Sequence, residues 1–174
     1  AYKYRLFRFE QAHRRAAGVA GPMDVRGVPV LFVPGHLGDY KQVRSLGSLA
    51  DEIGAAQRAQ RDGGGVAAPR LDYFAVDFRE EPTALSAFMV EQQADFVNDA
   101  VATILRMYRR SAKARSQQEV VIVAHSMGGF VARHALLLPT HMKGSVSTVV
   151  TLSSPHTRAP HLLDASLRNM WQQS

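Results

Sequence analysis

The chain contains no cysteine. Structural disulfides, thiol catalysis and thiolate metal sites are therefore excluded within it, while its compartment stays open. It also lacks any apolar run near the roughly 20 residues that cross a bilayer, and no secretory signal pattern opens it. The first residue is Ala1 rather than Met, so the stretch reads as an excerpt whose parent would carry any membrane segments elsewhere. No internal repeat is present. Carboxylates and histidines run out toward the end: after Ser126 the only carboxylate is Asp164, and no histidine follows it. What is there is ordinary globular usage, 46% hydrophobic and 21% charged over 174 residues, enough for one domain with its own core.

Charge is unbalanced, at +6, and part of the excess clusters at Arg106, Arg109, Arg110, Lys113 and Arg115. Such a run could favour an anionic surface. No aromatic residues interleave with it as they do in single-strand nucleic-acid grooves, and cations suit helix C-termini. The reading is a solvated helix end, with no nucleic-acid partner.

Hydrophobic periodicity sets the architecture. Tyr2, Tyr4, Leu6 and Phe9 suggest an edge strand over about 2–9. Nearly continuous apolar runs at 28–33, 71–78, 119–124 and 146–152 read as strands buried on both faces. Between them, Val43, Leu46, Leu49, Ala50 and Ile53 fall at helical spacing, and residues 55–69 read as a loose connection. Val90, Ala94, Val97, Val101, Ile104, Leu105 and Tyr108 line one face of a long helix. Val131, Ala135 and Leu138 mark a short helix stopped by Pro139. Alternating strands and helices predict βαβ units, a mainly parallel sheet with flanking helices and right-handed crossovers.

Ser126 carries the chemistry. In Ala124-His-Ser-Met-Gly-Gly129 it stands between an apolar strand and a helix, the context of a nucleophile elbow in an α/β-hydrolase fold. Ala124 and Gly128 supply the small residues that the crowded turn requires, and Gly129 lets the helix pack near the sheet. At the helix N-terminus, backbone amides favour the anion of a tetrahedral intermediate. Met127 is expected to supply one oxyanion amide. The loop after the first buried strand, Val33-Pro-Gly-His-Leu-Gly38, supplies the second, with His36 preferred and Leu37 the alternative. Gly35 and Gly38 let that loop turn inward. His125 reads as a packed elbow residue, and His156 as a rim residue rather than a general base.

A serine hydroxyl needs a base, and the base an acid to orient it. The chain order in this fold is Ser, then Asp or Glu, then His. No such order can be completed after Ser126. The acid and the base are therefore expected beyond Ser174, the chain being one partial domain over 1–174, truncated before its last strands. Asp164 reads as a surface or capping residue. An incomplete sheet with an open apolar edge predicts poor solubility in isolation.

The two motif regions and their flanks are specific. Gly27-Val-Pro-Val-Leu-Phe-Val-Pro-Gly35, Gly38-Asp-Tyr-Lys-Gln-Val-Arg-Ser45 and Asp72-Tyr-Phe-Ala-Val-Asp-Phe78 with Glu80-Glu81 resemble the GPI inositol-deacylase family. So do Phe96-Val-Asn-Asp-Ala100, Ala124 to Gly129 with Val131-Ala-Arg133, Thr151-Leu-Ser-Ser-Pro-His156 and the opening Tyr4-Arg-Leu-Phe-Arg8. The resemblance implies an endoplasmic-reticulum membrane enzyme, acting without metal or cofactor, that hydrolyses the acyl ester on the inositol of GPI-anchored proteins through Ser126. Its membrane segments would lie outside this chain. Three positions depart from the pattern: Ala124 for glycine, His36 for a common asparagine and Asp39 for a common serine. Other readings compatible with the residues are a generic lipase or carboxylesterase and a non-catalytic domain of the same fold.

Overall fold

The structure, a computed structural model, describes residues 3–10, 25–59, 69–111, 114, 116–157 and 164–173. Five strands form one sheet: β1 (Arg5–Arg8), β2 (Val28–Val33), β3 (Leu71–Asp77), β4 (Val120–His125) and β5 (Val146–Leu152). The helices are α1 (Val43–Ala59), α2 (Ala87–Arg110), α3 (Met127–Leu137) and α4 (Ala165–Gln173). Strand order is β1-β3-β2-β4-β5. Only β1 is antiparallel, pairing Arg5 with Asp77 and Arg8 with Phe74; the other neighbours run parallel.

Each face of the sheet has its own apolar layer. On one side Phe32 and Ala75 pack with Val43, Leu46 and Tyr73, which places α1 there. On the other, Leu31, Val33, Phe74, Val76 and Ile122 pack with the apolar faces of α2 and α3 and with Leu167 of α4. The predicted stripe of α2 from Val90 to Tyr108 is buried throughout. Asn98 on the same helix is buried because it donates from Nδ2 to the Ala135 carbonyl (2.9 Å), near the C-terminus of α3. Asp72 plays the corresponding part at the other end of the sheet. It accepts from the Arg26 and Gly27 amides and the Tyr108 hydroxyl, each at 2.8 Å, and pairs with the Arg70 guanidinium at 2.9 Å.

Three sequence expectations change. The strand at 146–152, expected to be buried on both faces, is largely exposed. With no strand beyond it among the described residues, Val150 and Leu152 are 42% and 38% exposed. The helix predicted around Val43 to Ile53 turns Leu49 and Ile53 outward, because only the narrow stripe through Val43, Leu46 and Gly47, where Phe9 lies against Gly47, meets the sheet. It also runs through Ala59, where a loose connection was expected; Ala55, Ala56, Gln57 and Ala59 are good helix formers, and 60–68 lie outside the described residues. The bounds of β1, β3 and β4 differ from expectation by a few residues, as hydrogen-bonded ends do; Tyr2 lies outside the described residues.

Candidate active site

Helix α1 leaves β2 on one face of the sheet and α3 leaves β4 on the other, although β2 and β4 are adjacent and parallel. Their C-terminal ends therefore diverge and open a crevice, the switch point at which open α/β sheets bind ligands. Ser126 stands there, between β4 and α3, with φ 52° and ψ −126°. Its amide donates to the Leu152 carbonyl of β5 (2.9 Å) and its carbonyl accepts from the Gly129 amide (3.1 Å), so the turn is pinned from both sides.

The small residues around it answer to close contacts. A Cβ on Gly35 would fall 2.7 Å from both the His125 carbonyl oxygen and the Ser126 Cβ, and 3.1 Å from the Met127 nitrogen. The loop after β2 thus lies directly against the turn that bears the serine. One on Gly128 would come within 2.6 Å of the Pro34 carbonyl oxygen, and one on Gly129 within 2.7 Å of the Ser154 Cβ. Ala124 is fully buried, which leaves room for its methyl group but for little more.

Backbone strain marks the same edge. Among the described residues, the non-glycine positions with positive φ are Leu37, Arg79, Glu80, Ser126 and Ser153. They follow β2, β3, β4 and β5, so all lie at the C-terminal ends of the four parallel strands. Each such conformation costs on the order of 1–3 kcal/mol and persists only where the surroundings impose it.

The amides sort themselves by what they already bond. Leu37 donates to the Glu81 carbonyl and Gly38 to the Gly35 carbonyl, both at 3.0 Å. Among the described residues, the His36 and Met127 amides have no such acceptor. The His36 ring accepts at Nδ1 from the Ala84 amide (3.1 Å), so its side chain ties the loop after β2 to the segment after β3. Glu81 anchors that segment. Its carboxylate accepts from the Tyr4 hydroxyl (2.6 Å) and Gln93 Nε2 (3.1 Å) and pairs with the Lys3 ammonium. Partial burial works to raise its pKa, but these donors outweigh burial and hold it below the ordinary carboxylate value.

The histidines near the serine have other partners. His125, the last residue of β4, is half-buried. Nδ1 of His156 lies 3.2 Å from an Arg133 Nη and Nε2 lies 2.8 Å from Thr151 Oγ1. A guanidinium only donates, so Nδ1 accepts and the ring proton is on Nε2, facing Thr151. Arg133 sits over the Trp171 ring, 5.2 Å from its centroid, and burial lowers its pKa. Asp164 caps α4, accepting from Ser166 and Leu167 at 2.8 and 3.4 Å, and it also accepts from the Ala87 amide that opens α2, at 2.8 Å. These amides, Ala87 first, lower its pKa. Sequence reading missed the roles of Asp72, Glu81 and the Arg133–His156 pair; their signal was membership of particular motifs with no chemistry attached. Among the described residues no cluster of His, Asp and Glu could hold a metal ion, and no helix is long and apolar enough to cross a membrane.

The sequence profile of the PGAP1-like alpha/beta domain matches residues 24–174. The chain belongs to that family. The PGAP1-like chain is 39% identical over 175 residues to a GPI inositol-deacylase of Phaeosphaeria nodorum, covering 96% of itself and 16% of that protein. It is 35% identical over 192 residues to the GPI inositol-deacylase of Schizosaccharomyces pombe, covering 100% of itself and again 16% of the relative. It thus spans about a sixth of the length of these curated relatives. Among solved structures, the siderophore hydrolase EstB from Aspergillus fumigatus superposes with a TM-score of 0.56 at 14% identity, over 87% of this chain and 39% of that one. The fold of this PGAP1-like chain is that of the α/β hydrolases.

Proposed function

We propose that the protein containing this chain is a serine ester hydrolase that removes the acyl chain from the inositol of GPI-anchored proteins. The observation that carries the chemistry is Ser126 at φ 52° on the turn between β4 and α3, with the loop after β2 packed against it at Gly35. The substrate class is supported by the 39% and 35% identity to proteins named GPI inositol-deacylase. Endoplasmic-reticulum location and membrane attachment through segments outside this chain belong to the same proposal, as does its extent, one partial hydrolase domain over 1–174.

Ser126 Oγ attacks the ester carbonyl as a base takes its proton. The carbonyl oxygen becomes an oxyanion held by the Met127 and His36 amides, each such donor being worth on the order of a hundredfold in rate. The C–O bond to inositol then breaks, the inositol hydroxyl leaves with the proton, and the acyl group stays on Ser126. Water attacks the acyl-serine by the same route, releasing the fatty acid. We place the acid and the base beyond residue 174. His156, its Nδ1 engaged by Arg133, and Asp164, engaged by helix amides, have other duties.

The test uses the full-length protein and its Ser126→Ala variant on an inositol-acylated GPI protein. The readout is the conversion of resistant substrate to sensitivity toward a phosphoinositide-specific lipase. Conversion by the wild type with at least a thousandfold loss, of order, in the variant is expected; equal conversion removes Ser126 from the mechanism. Turnover of simple esters without conversion of the GPI protein selects the generic lipase reading instead.

A further inference from the structure

A second concavity lies at the opposite edge of the sheet, where β4 and β5 begin. Its volume is about 440 Å³, and Leu105, Arg109, Gln117, Gln118, Lys143 and Ser145 contribute to its wall. That size falls within the range of small-molecule sites. This pocket is separate from the chemistry at Ser126.

The polar lining is one-sided. Arg109 comes from the last turn of α2 and Lys143 from the turn before β5, so two cations from separate elements line one concavity, and no carboxylate is among its described lining residues. A helix end alone accounts for Arg109, since cations suit a C-terminus. It does not account for Lys143, which a separate turn presents. That turn closes on the Ser145 amide, which donates to the Met142 carbonyl at 3.0 Å, while the Ser145 carbonyl accepts from Val120 at 2.9 Å. With both backbone groups bonded, Ser145 is fixed in place.

Its side chain is nevertheless unsatisfied. Ser145 is 4% exposed and its Oγ has no hydrogen-bond partner among the described residues. A buried hydroxyl without a partner costs about 1–3 kcal/mol, and this Oγ is closed off from solvent, so the groups open to a ligand are those of Arg109, Lys143 and the two glutamines. A guanidinium, an ammonium and two carboxamides around one space, with no carboxylate among the described lining residues, match a compact anion rich in acceptor oxygens. A guanidinium fork suits phosphate geometry in particular. We infer that this pocket binds the phosphate group of a phosphoester, through Arg109 and Lys143.

The phosphate could come from a water-soluble phosphoester or from a phospholipid headgroup, and the test separates the two. The full-length protein is heated with inorganic phosphate or glycerol phosphate against chloride at equal ionic strength, and floated with phosphatidylcholine vesicles with and without phosphatidic acid. Phosphate should raise the unfolding temperature above chloride. An R109Q/K143Q double variant, both positions exposed, should bind about tenfold more weakly or worse. Ser145→Ala, which deletes an unpaired buried group, should leave the unliganded protein no less stable and phosphate binding within about twofold of wild type. A shift without flotation identifies a soluble phosphoester; flotation with phosphatidic acid that the double variant loses identifies a headgroup. Phosphate and chloride behaving alike with no flotation, or an undiminished response in the double variant, overturns the inference.

Discussion

Asp72 shows how one side chain organises this domain. It accepts three hydrogen bonds and an ion pair while 4% exposed, so the start of β2, β3 and the end of α2 meet on one carboxylate. Burial alone would raise its pKa, but the Gly27 and Arg26 amides, the Tyr108 hydroxyl and Arg70 outweigh burial and lower it from 3.8. A depressed folded pKa contributes stability that is present above the unfolded value and lost as pH falls through the folded one. Asp72→Asn is therefore expected to cost about 2–3 kcal/mol near neutral pH and to flatten the loss of stability below about pH 4. Denaturant unfolding at stepped pH measures both. At the same scale, His156→Gln should leave ester hydrolysis within a fewfold of wild type, since the Arg133 bond already occupies Nδ1. A loss as large as that of Ser126→Ala would make His156 the base.

At the scale of elements, the turn between β4 and α3 and the loop after β2 behave as one unit, because Gly35 leaves no room for a Cβ between them. Gly35→Ala is expected to lower kcat far more than it raises KM, with about 1–3 kcal/mol of destabilisation from overpacking. Strain at Ser126 has its own signature. At φ 52° a glycine relaxes what alanine cannot, so Ser126→Gly should be about 1 kcal/mol more stable than Ser126→Ala. Equal stability would mean that the turn is not strained. This is also where the sequence was most legible. The small residues of 124–129 announce a crowded turn, and the buried stripe of α2 follows directly from its spacing. The outward turn of Leu49 and Ile53 was hidden, because periodicity shows that a helix has an apolar side without showing how much of that side the sheet covers. The exposed faces of β5 were hidden for a related reason, since an apolar run is the same whether or not its faces are covered, although an open edge was expected. Asp72 and Glu81 could not be read at all, because partners such as Tyr108 and Tyr4 lie 36 and 77 positions away along the chain.

For the whole molecule, the order β1-β3-β2-β4-β5 puts strained turns and the candidate nucleophile on one edge of the sheet and the cationic pocket on the other. Of the cations singled out in the sequence, Arg109 lines that pocket and Arg106 and Arg110 are exposed, while Lys113 and Arg115 lie outside the described residues. The outer side of β5 carries exposed Val150 and Leu152, and an uncovered strand of this kind pairs readily with another chain. The 174-residue chain on its own is expected to self-associate, and Val150→Lys to reduce it, as light scattering against concentration would show. The central claim is that Ser126 is a nucleophile activated in the full-length protein, and covalent trapping tests it most directly. Treating that protein with a fluorophosphonate and mapping the modified peptide should place one adduct on Ser126, with loss of deacylation in proportion to labelling. An adduct elsewhere, or full deacylation by protein whose Ser126 is blocked, would contradict it.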